Sequence, residues 1–170
     1  AREKNEDLIK YLQLEINEFS SLGTFVDEHT SDILGLYLSK TSVDDFIEKH
    51  KGELTKVVVL DGVEDSHNVG AIIRSCVCAG VKGIILPSRR GVLINSTVEK
   101  TSAGAVNHIS IIKVNSLVNA IQRLKENDYW VIASDHHAKD NYFNIDYTNM
   151  NFALIMGAEH AGISRSLLKL

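Results

Sequence analysis

The sequence predicts an α/β fold: a mostly parallel sheet with helices on both faces. From Lys56 onward, short apolar runs rich in β-branched residues alternate with segments of helical spacing. Polar loops follow most of these runs, as they do where parallel strands end. With 170 residues, 44% of them hydrophobic, the chain is long enough for one buried core, with at most a small appendage.

Five short apolar runs are predicted as the strands. They are Val57–Leu60, Gly83–Leu86, Ile109–Val114, Tyr129–Ala133 and Phe152–Met156. Each run is too short for a buried helix and is bounded by glycine, proline or polar residues. Because parallel strands end on one edge of a sheet, the loops after the first, second, fourth and fifth strands should meet there.

Helices are predicted between these strands. The spans are Ser42–His50, about Gly70 to Ala79, Asn95–Ser102, Ser116–Asn127 and Ile163–Leu170. Ser42 and Asp45 form a capping box, and Ser116 is a typical N-cap residue.

The N-terminal part gives weaker signals. Ala1–Phe19 has the spacing of an amphipathic helix, and Thr24–Val26 and Ile33–Leu38 are predicted as short strands. A polar break at Lys51–Glu53 separates a partial N-terminal segment with its linker, residues 1–52, from a main domain, residues 53–170.

Composition limits the class of protein. The net charge of -4 argues against a chain that is basic overall, but it leaves room for a local basic patch. Cys76 and Cys78 lack C-x-x-C spacing and lie in an apolar helical run, which predicts buried free thiols and a reduced, cytoplasmic compartment. The sequence shows no membrane-length apolar segment and no visible signal peptide.

The pattern N-x-G-x-x-x-R is formed by Asn68, Gly70 and Arg74. Asn68 fits a helix cap and Arg74 a solvated helix residue. Alternatively, a helix beginning near Gly70 would direct free amides and Arg74 toward the strand ends, where they suit an anion. The residue types alone leave both interpretations open.

A second pattern, Gly157-x-Glu159-x-x-Gly162, joins the last strand to the last helix. It is not the dinucleotide pattern G-x-G-x-x-G, so a plain tight turn and a ligand-binding loop both remain open. Basic side chains are predicted around the same sheet edge, which favours a positive surface for RNA or phosphate. They include Arg74, Arg89, Arg90 and Lys100.

Other patterns favour no special chemistry. Asp135-His136-His137 invites a metal, but no cluster of acidic ligands precedes it, so a polar loop and no metal are predicted. Lys100–Ala105 lacks the P-loop pattern, and no G-x-S-x-G elbow is present.

Three segments together resemble the SpoU (TrmH) RNA ribose methyltransferases. They are LDGVEDSHNVGAIIRSCVCAGVKGIILP, KTSAGAVNHISI and FALIMGAEHAGIS, in that order between Leu60 and Ser164. Within the family, the resemblance is greatest to bacterial enzymes that 2'-O-methylate a guanosine of 23S ribosomal RNA. It implies S-adenosylmethionine as cofactor, a homodimer, a C-terminal trefoil knot and an N-terminal RNA-binding domain.

The resemblance also implies roles for particular residues. Arg74, Asn68 and Glu159 would be catalytic. Cofactor contacts would come from Gly157, Leu86, Ala133, Ser134 and Met156, and RNA contacts from Arg74, Arg89, Arg90 and Lys100.

Two departures from the family pattern keep alternatives open. His160-Ala161 stands where relatives often have Gly-Glu, and the third family motif, which completes the knot, is not found before Leu170. The alternatives are a non-catalytic RNA-binding protein with this fold, methylation of tRNA rather than rRNA, and a nucleotide-binding enzyme with an unknotted sheet.

Overall fold

The computed structural model describes residues 41–89 and 91–170. The predicted helix Ala1–Phe19, the two short N-terminal strands and Arg90 lie outside the described residues.

The sheet has five strands, all parallel, in the order β3-β2-β1-β5-β4. Their bounds are β1 Lys56–Asp61, β2 Gly83–Pro87, β3 Ser110–Val114, β4 Tyr129–Ser134 and β5 Asn151–Gly157. Each predicted strand is therefore found to within one residue at either end. β1 is central, and β5, the last strand in the chain, lies between β1 and β4.

In the described ranges, five α-helices connect or flank these strands. They are α1 Val43–Lys49, α2 Ser66–Cys78, α3 Ser96–Thr101, α4 Leu117–Lys125 and α5 Arg165–Leu168, with short 3-10 helices at Ala105–His108 and Tyr142–Asn144. The predicted caps are confirmed: Ser42 and Asp45 form the capping box of α1, and Ser116 accepts a hydrogen bond from the Asn119 amide. The predicted last helix is shorter than expected, because Ser164 is the N-cap residue of α5.

Alternation along the strands divides the core between two faces of the sheet. Val57 and Val59 of β1 point to the face covered by α1, α4 and α5, whereas Val58 and Leu60 point to the face covered by α2 and α3. The prediction of a sheet with helices on both faces is confirmed.

Helix α1 packs against the sheet and is part of the same folded unit. Val43 and Phe46 are buried in the same cluster as the residues of α4, and a Cβ added at Gly83 would lie 2.8 Å from the Phe46 ring. The packed unit therefore begins before the predicted boundary at residue 53. A separate RNA-binding domain in the preceding residues stays a prediction.

The two cysteines differ in environment. Both are free, but Cys76 is buried and Cys78 is exposed, so the prediction of two buried thiols is wrong for Cys78. Cys78 is the last residue of α2 and lies outside the helix face that packs on the sheet. Burial raises the pKa of the Cys76 thiol to about 11. Among the helices described, none combines the length and apolar character needed to cross a membrane.

Candidate active site at the carboxyl edge of the sheet

The strand order places the switch point of the sheet, and with it the expected ligand crevice, between β1 and β5. After β1 the chain continues into α2 on one face of the sheet, and after β5 it continues into α5 on the opposite face. Such a divergence of neighbouring strands is a topological switch point, where open α/β sheets bind ligands. The last residue pair before the crevice is Asp61 and Gly157.

Helix α2 begins earlier than the sequence predicts. Its first residue is Ser66, and the side chain of Asp65 caps it by accepting a hydrogen bond of 3.0 Å from the His67 amide. Asn68 therefore lies in the first helical turn, not in a loop, and it is not the cap. Gly70 lies inside the helix, so the predicted anion site of free amides at Gly70 is wrong.

Arg74 is farther from the sheet edge than the sequence suggests. It lies eight residues after Ser66, which corresponds to about 12 Å along the helix axis. Asn68 and Arg74 are six residues apart and therefore point about 120° from each other around the helix. Both side chains are exposed, and within the described part of the chain Arg74 has no hydrogen-bond or ion-pair partner.

Gly70 has a packing role. A Cβ added there would lie 1.8 Å from the Thr101 hydroxyl oxygen, so only glycine lets α3 approach α2 this closely. The Thr101 hydroxyl is itself held by donating to the Thr97 carbonyl at 2.8 Å. The small residues of the Lys100–Ala105 segment thus serve helix packing, and Lys100 remains exposed beside it.

Gly157 also permits a close approach, here between two stretches of backbone. A Cβ on Gly157 would lie 2.1 Å from the carbonyl carbon of Gly162 and 2.3 Å from the Ile163 nitrogen. The loop Ala158–Gly162 closes on itself, because the Ala158 and Gly162 amides each donate to the other residue's carbonyl, at 3.2 and 2.9 Å. Glu159 and His160 are exposed on this loop.

One contact of the site was not predicted. The carboxylate of Asp61, at the end of β1, accepts a hydrogen bond of 2.7 Å from the Ser164 amide at the start of α5. The two residues are 103 positions apart in the chain. No local sequence pattern identifies such a contact, and only the β1–β5 pairing brings the partners together.

The other predicted site residues lie along the same sheet edge in different environments. Ala133 and Ser134 are exposed at the end of β4, and Met156 is half-buried near the end of β5. Leu86 is fully buried in the core, so its side chain is not accessible to a ligand. From β2 to β4 these positions span three strand spacings, roughly 14 Å. Arg89 is exposed just beyond the end of β2.

An apolar groove of about 550 Å³ lies on the α2 face, along the β1–β5 seam. It is lined by Lys56, Val58, Ala71, Ile72, Ser75, Cys76, Ala79, Val81, Tyr147, Phe152, Leu154 and Met156. Met156 is the one predicted site residue in this lining. The groove therefore lies largely apart from the predicted cofactor residues.

The Asp135–His137 cluster has a compact geometry. One possible ligand atom from each residue lies within 4.8 Å of the others, and the two imidazole rings are 3.8 Å apart. The Asp135 carboxylate already accepts a hydrogen bond of 2.7 Å from the His137 amide. Both histidines are exposed.

Comparison with known proteins identifies the family. A profile of the SpoU rRNA Methylase family matches residues 55–170. The chain belongs to the SpoU rRNA methylase family. A Staphylococcus aureus (strain MSSA476) protein called "Putative TrmH family tRNA/rRNA methyltransferase" is 40% identical over 118 residues, which are 69% of this chain and 47% of that protein. The Staphylococcus saprophyticus protein of the same name is 39% identical over 124 residues, 72% of this chain and 49% of its own length.

Solved SpoU structures share the fold. The AdoMet-bound rRNA methyltransferase from Sinorhizobium meliloti superimposes with a TM-score of 0.66 and 29% identity over 76% of this chain and 48% of that one. The TrmH/SpoU tRNA modifying enzyme of A. aeolicus gives a TM-score of 0.60 at 23% identity, over 75% of this chain and 67% of that one. The chain spans about half the length of the curated SpoU relatives it matches.

Proposed function

We propose that the protein transfers a methyl group from S-adenosylmethionine to a ribose 2'-hydroxyl of RNA, with a guanosine of 23S rRNA as the target. We further propose that it acts as a homodimer. The observation that carries the proposal is the crevice between β1 and β5, where two loops typical of the family meet at the carboxyl edge of the sheet. An AdoMet-bound structure with the same fold supports the choice of cofactor.

The residues at this edge suit an adenosine-containing ligand. Met156 offers apolar surface beside the Ser134 hydroxyl, because the two residues are paired on neighbouring strands and share one face of the sheet, whereas Ala133 points to the other face. The methyl-bearing sulfonium is the electrophile that this ligand would supply.

The reaction is a displacement at carbon. A bond forms between the ribose oxygen and the methyl carbon while the carbon–sulfur bond breaks, and its electron pair goes to sulfur. The hydroxyl proton must leave to a base or to water. The positive charge on sulfur disappears, so an apolar environment favours the step.

We assign Arg74 the role of a phosphate clamp. An arginine stays protonated in proteins and is a poor general base. Its planar fork suits bidentate binding of an RNA phosphate beside the reacting ribose. Exposure and the absence of a partner in the described residues leave its guanidinium available for this contact.

The test uses the full-length protein with radiolabelled S-adenosylmethionine and two substrates, a 23S rRNA transcript and a tRNA pool. We expect label in the rRNA that survives alkaline hydrolysis as a 2'-O-methylated dinucleotide. Label in tRNA alone would support the tRNA alternative. Calorimetric titration of the protein with S-adenosylmethionine, without RNA, should come first. If no binding is observed, the methyltransferase proposal fails and the non-catalytic RNA-binding alternative is favoured.

A further inference from the structure

The residues that follow the Ala158–Gly162 loop anchor it to the core of the protein. Next to it, Ile163 and Leu167 are buried against the α4 face of the sheet, and this apolar contact holds α5 in place. Because α5 is a single short turn, this apolar contact alone does not fix the distance between the loop and the end of β1.

A polar contact supplies that missing constraint. The Ser164 amide donates to the Asp61 carboxylate at 2.7 Å, and Asp61 is the register partner of Gly157. The Ser164 side chain makes no capping hydrogen bond, since its hydroxyl contacts the Ser166 hydroxyl at 3.1 Å instead. Asp61 thus accepts from the amide of the N-cap residue, the contact that a Glu or Gln at the third helical position makes in a capping box and that Leu167 cannot make here.

Asp61 connects both sides of the crevice. It ends the strand that leads into α2, and its carboxylate fixes the segment that follows β5. Gly62, directly after it, has φ +75°, and a Cβ there would lie 3.6 Å from the Ala158 Cβ. The loops after β1 and β5 therefore approach each other one residue beyond the last strand pair.

We propose that Asp61 is a positioning residue, whose hydrogen bond to the Ser164 amide holds the Ala158–Gly162 loop in the geometry that receives the S-adenosyl group. This proposal rests on the proposed methyltransferase function. Asp61 does not touch the reacting atoms. It acts through the loop, so its loss weakens cofactor binding more than the methyl transfer itself.

The first experiment compares Asp61→Ala with Asp61→Asn in the full-length protein. A hydrogen bond to a charged acceptor is worth roughly a ten- to hundredfold change in an equilibrium constant. We expect Asp61→Ala to raise the KM for S-adenosylmethionine at least tenfold with a much smaller change in kcat. The amide oxygen of asparagine still accepts, so Asp61→Asn should restore most of the affinity.

A matched pair at Ser164 tests the same bond from the donor side. Ser164→Ala keeps the backbone amide, and we expect its KM to match that of Asp61→Asn or better. Ser164→Pro removes the amide hydrogen, and the φ of -61° observed at Ser164 lies within the range of about -80 to -50° that proline requires. We expect Ser164→Pro to reproduce the KM increase of Asp61→Ala.

Amide hydrogen exchange of residues 158–164 gives a readout that needs no cofactor. We expect faster exchange in Asp61→Ala and near wild-type exchange in Asp61→Asn. If the wild-type protein binds S-adenosylmethionine and Asp61→Ala binds it equally well, the positioning role is refuted. If the wild-type protein does not bind it at all, the proposed function fails, while unchanged exchange in Asp61→Ala would independently refute the structural role of the bond.

Discussion

Replacing Gly157 with alanine tests whether the fold of the Ala158–Gly162 loop requires glycine at this position even when no ligand is bound. The added Cβ would lie 2.1 Å from the carbonyl carbon and 2.3 Å from the carbonyl oxygen of Gly162. These are backbone atoms, so no side-chain rotation relieves the overlap. The Ala158–Gly162 loop must move away from the end of β5.

The cost follows from the contacts that this movement breaks. The loop is closed by two backbone hydrogen bonds between Ala158 and Gly162, and it is fixed by the bond from the Ser164 amide to Asp61. At about 1 kcal/mol for each neutral bond and about 2 for the charged one, full opening costs about 4 kcal/mol, and partial opening about 2. The melting temperature should fall by roughly 4–16 °C.

The assay is thermal unfolding of the full-length protein followed by circular dichroism, without cofactor. Gly52→Ala is the matched control, because Gly52 has φ +86° but nothing within 4 Å of an added Cβ. Its cost is therefore backbone strain alone, about 1 kcal/mol. A Gly157→Ala protein as stable as the control would refute the steric argument and return Gly157 to a purely ligand-binding role.

Four further outcomes are expected. Gly70→Ala should destabilise the protein by roughly 1–3 kcal/mol in urea unfolding, since the overlap with α3 outweighs the gain in helix propensity. Arg74→Lys should weaken RNA binding in a filter assay while leaving cofactor affinity intact, because lysine lacks the bidentate fork; normal turnover would contradict the clamp. At pH 8 a maleimide should label exposed Cys78 well before Cys76, because burial raises the pKa of the Cys76 thiol to about 11. Peptide mass spectrometry would show which cysteine carries the label. Methylation should persist in EDTA, and loss of activity would point to a metal at Asp135–His137.

The sequence predicts the regular elements well because their signals are local. Strands such as Tyr129–Ser134 are short apolar runs with clear boundaries, and the capping box of α1 is recognised from residues only three positions apart. Helix α2 shows the limit. The polar run before Asn68 has the composition of a loop, yet Asp65 caps a helix that begins four residues before the predicted start.

The parts of the site that depend on distant residues were not predictable in this way. Gly70 has the appearance of a helix-start residue until Thr101 is placed against it. The contact between Asp61 and Ser164 requires the register of β1 and β5. The family patterns locate the right loops, but the packing role of each glycine follows only from the neighbours that the fold supplies.

The position of β5 also has a consequence for the order of folding. Strands β1, β2 and β3 are consecutive in the chain and adjacent in the sheet, so their pairing needs only short loop closures. β5 pairs with β4, the strand before it in the chain, but its pairing with β1 joins residues nearly a hundred positions apart, which has a larger entropic cost of loop closure. The β1–β5 pairing, which brings the two sides of the crevice together, is therefore expected to form after the β1–β2–β3 half of the sheet during folding.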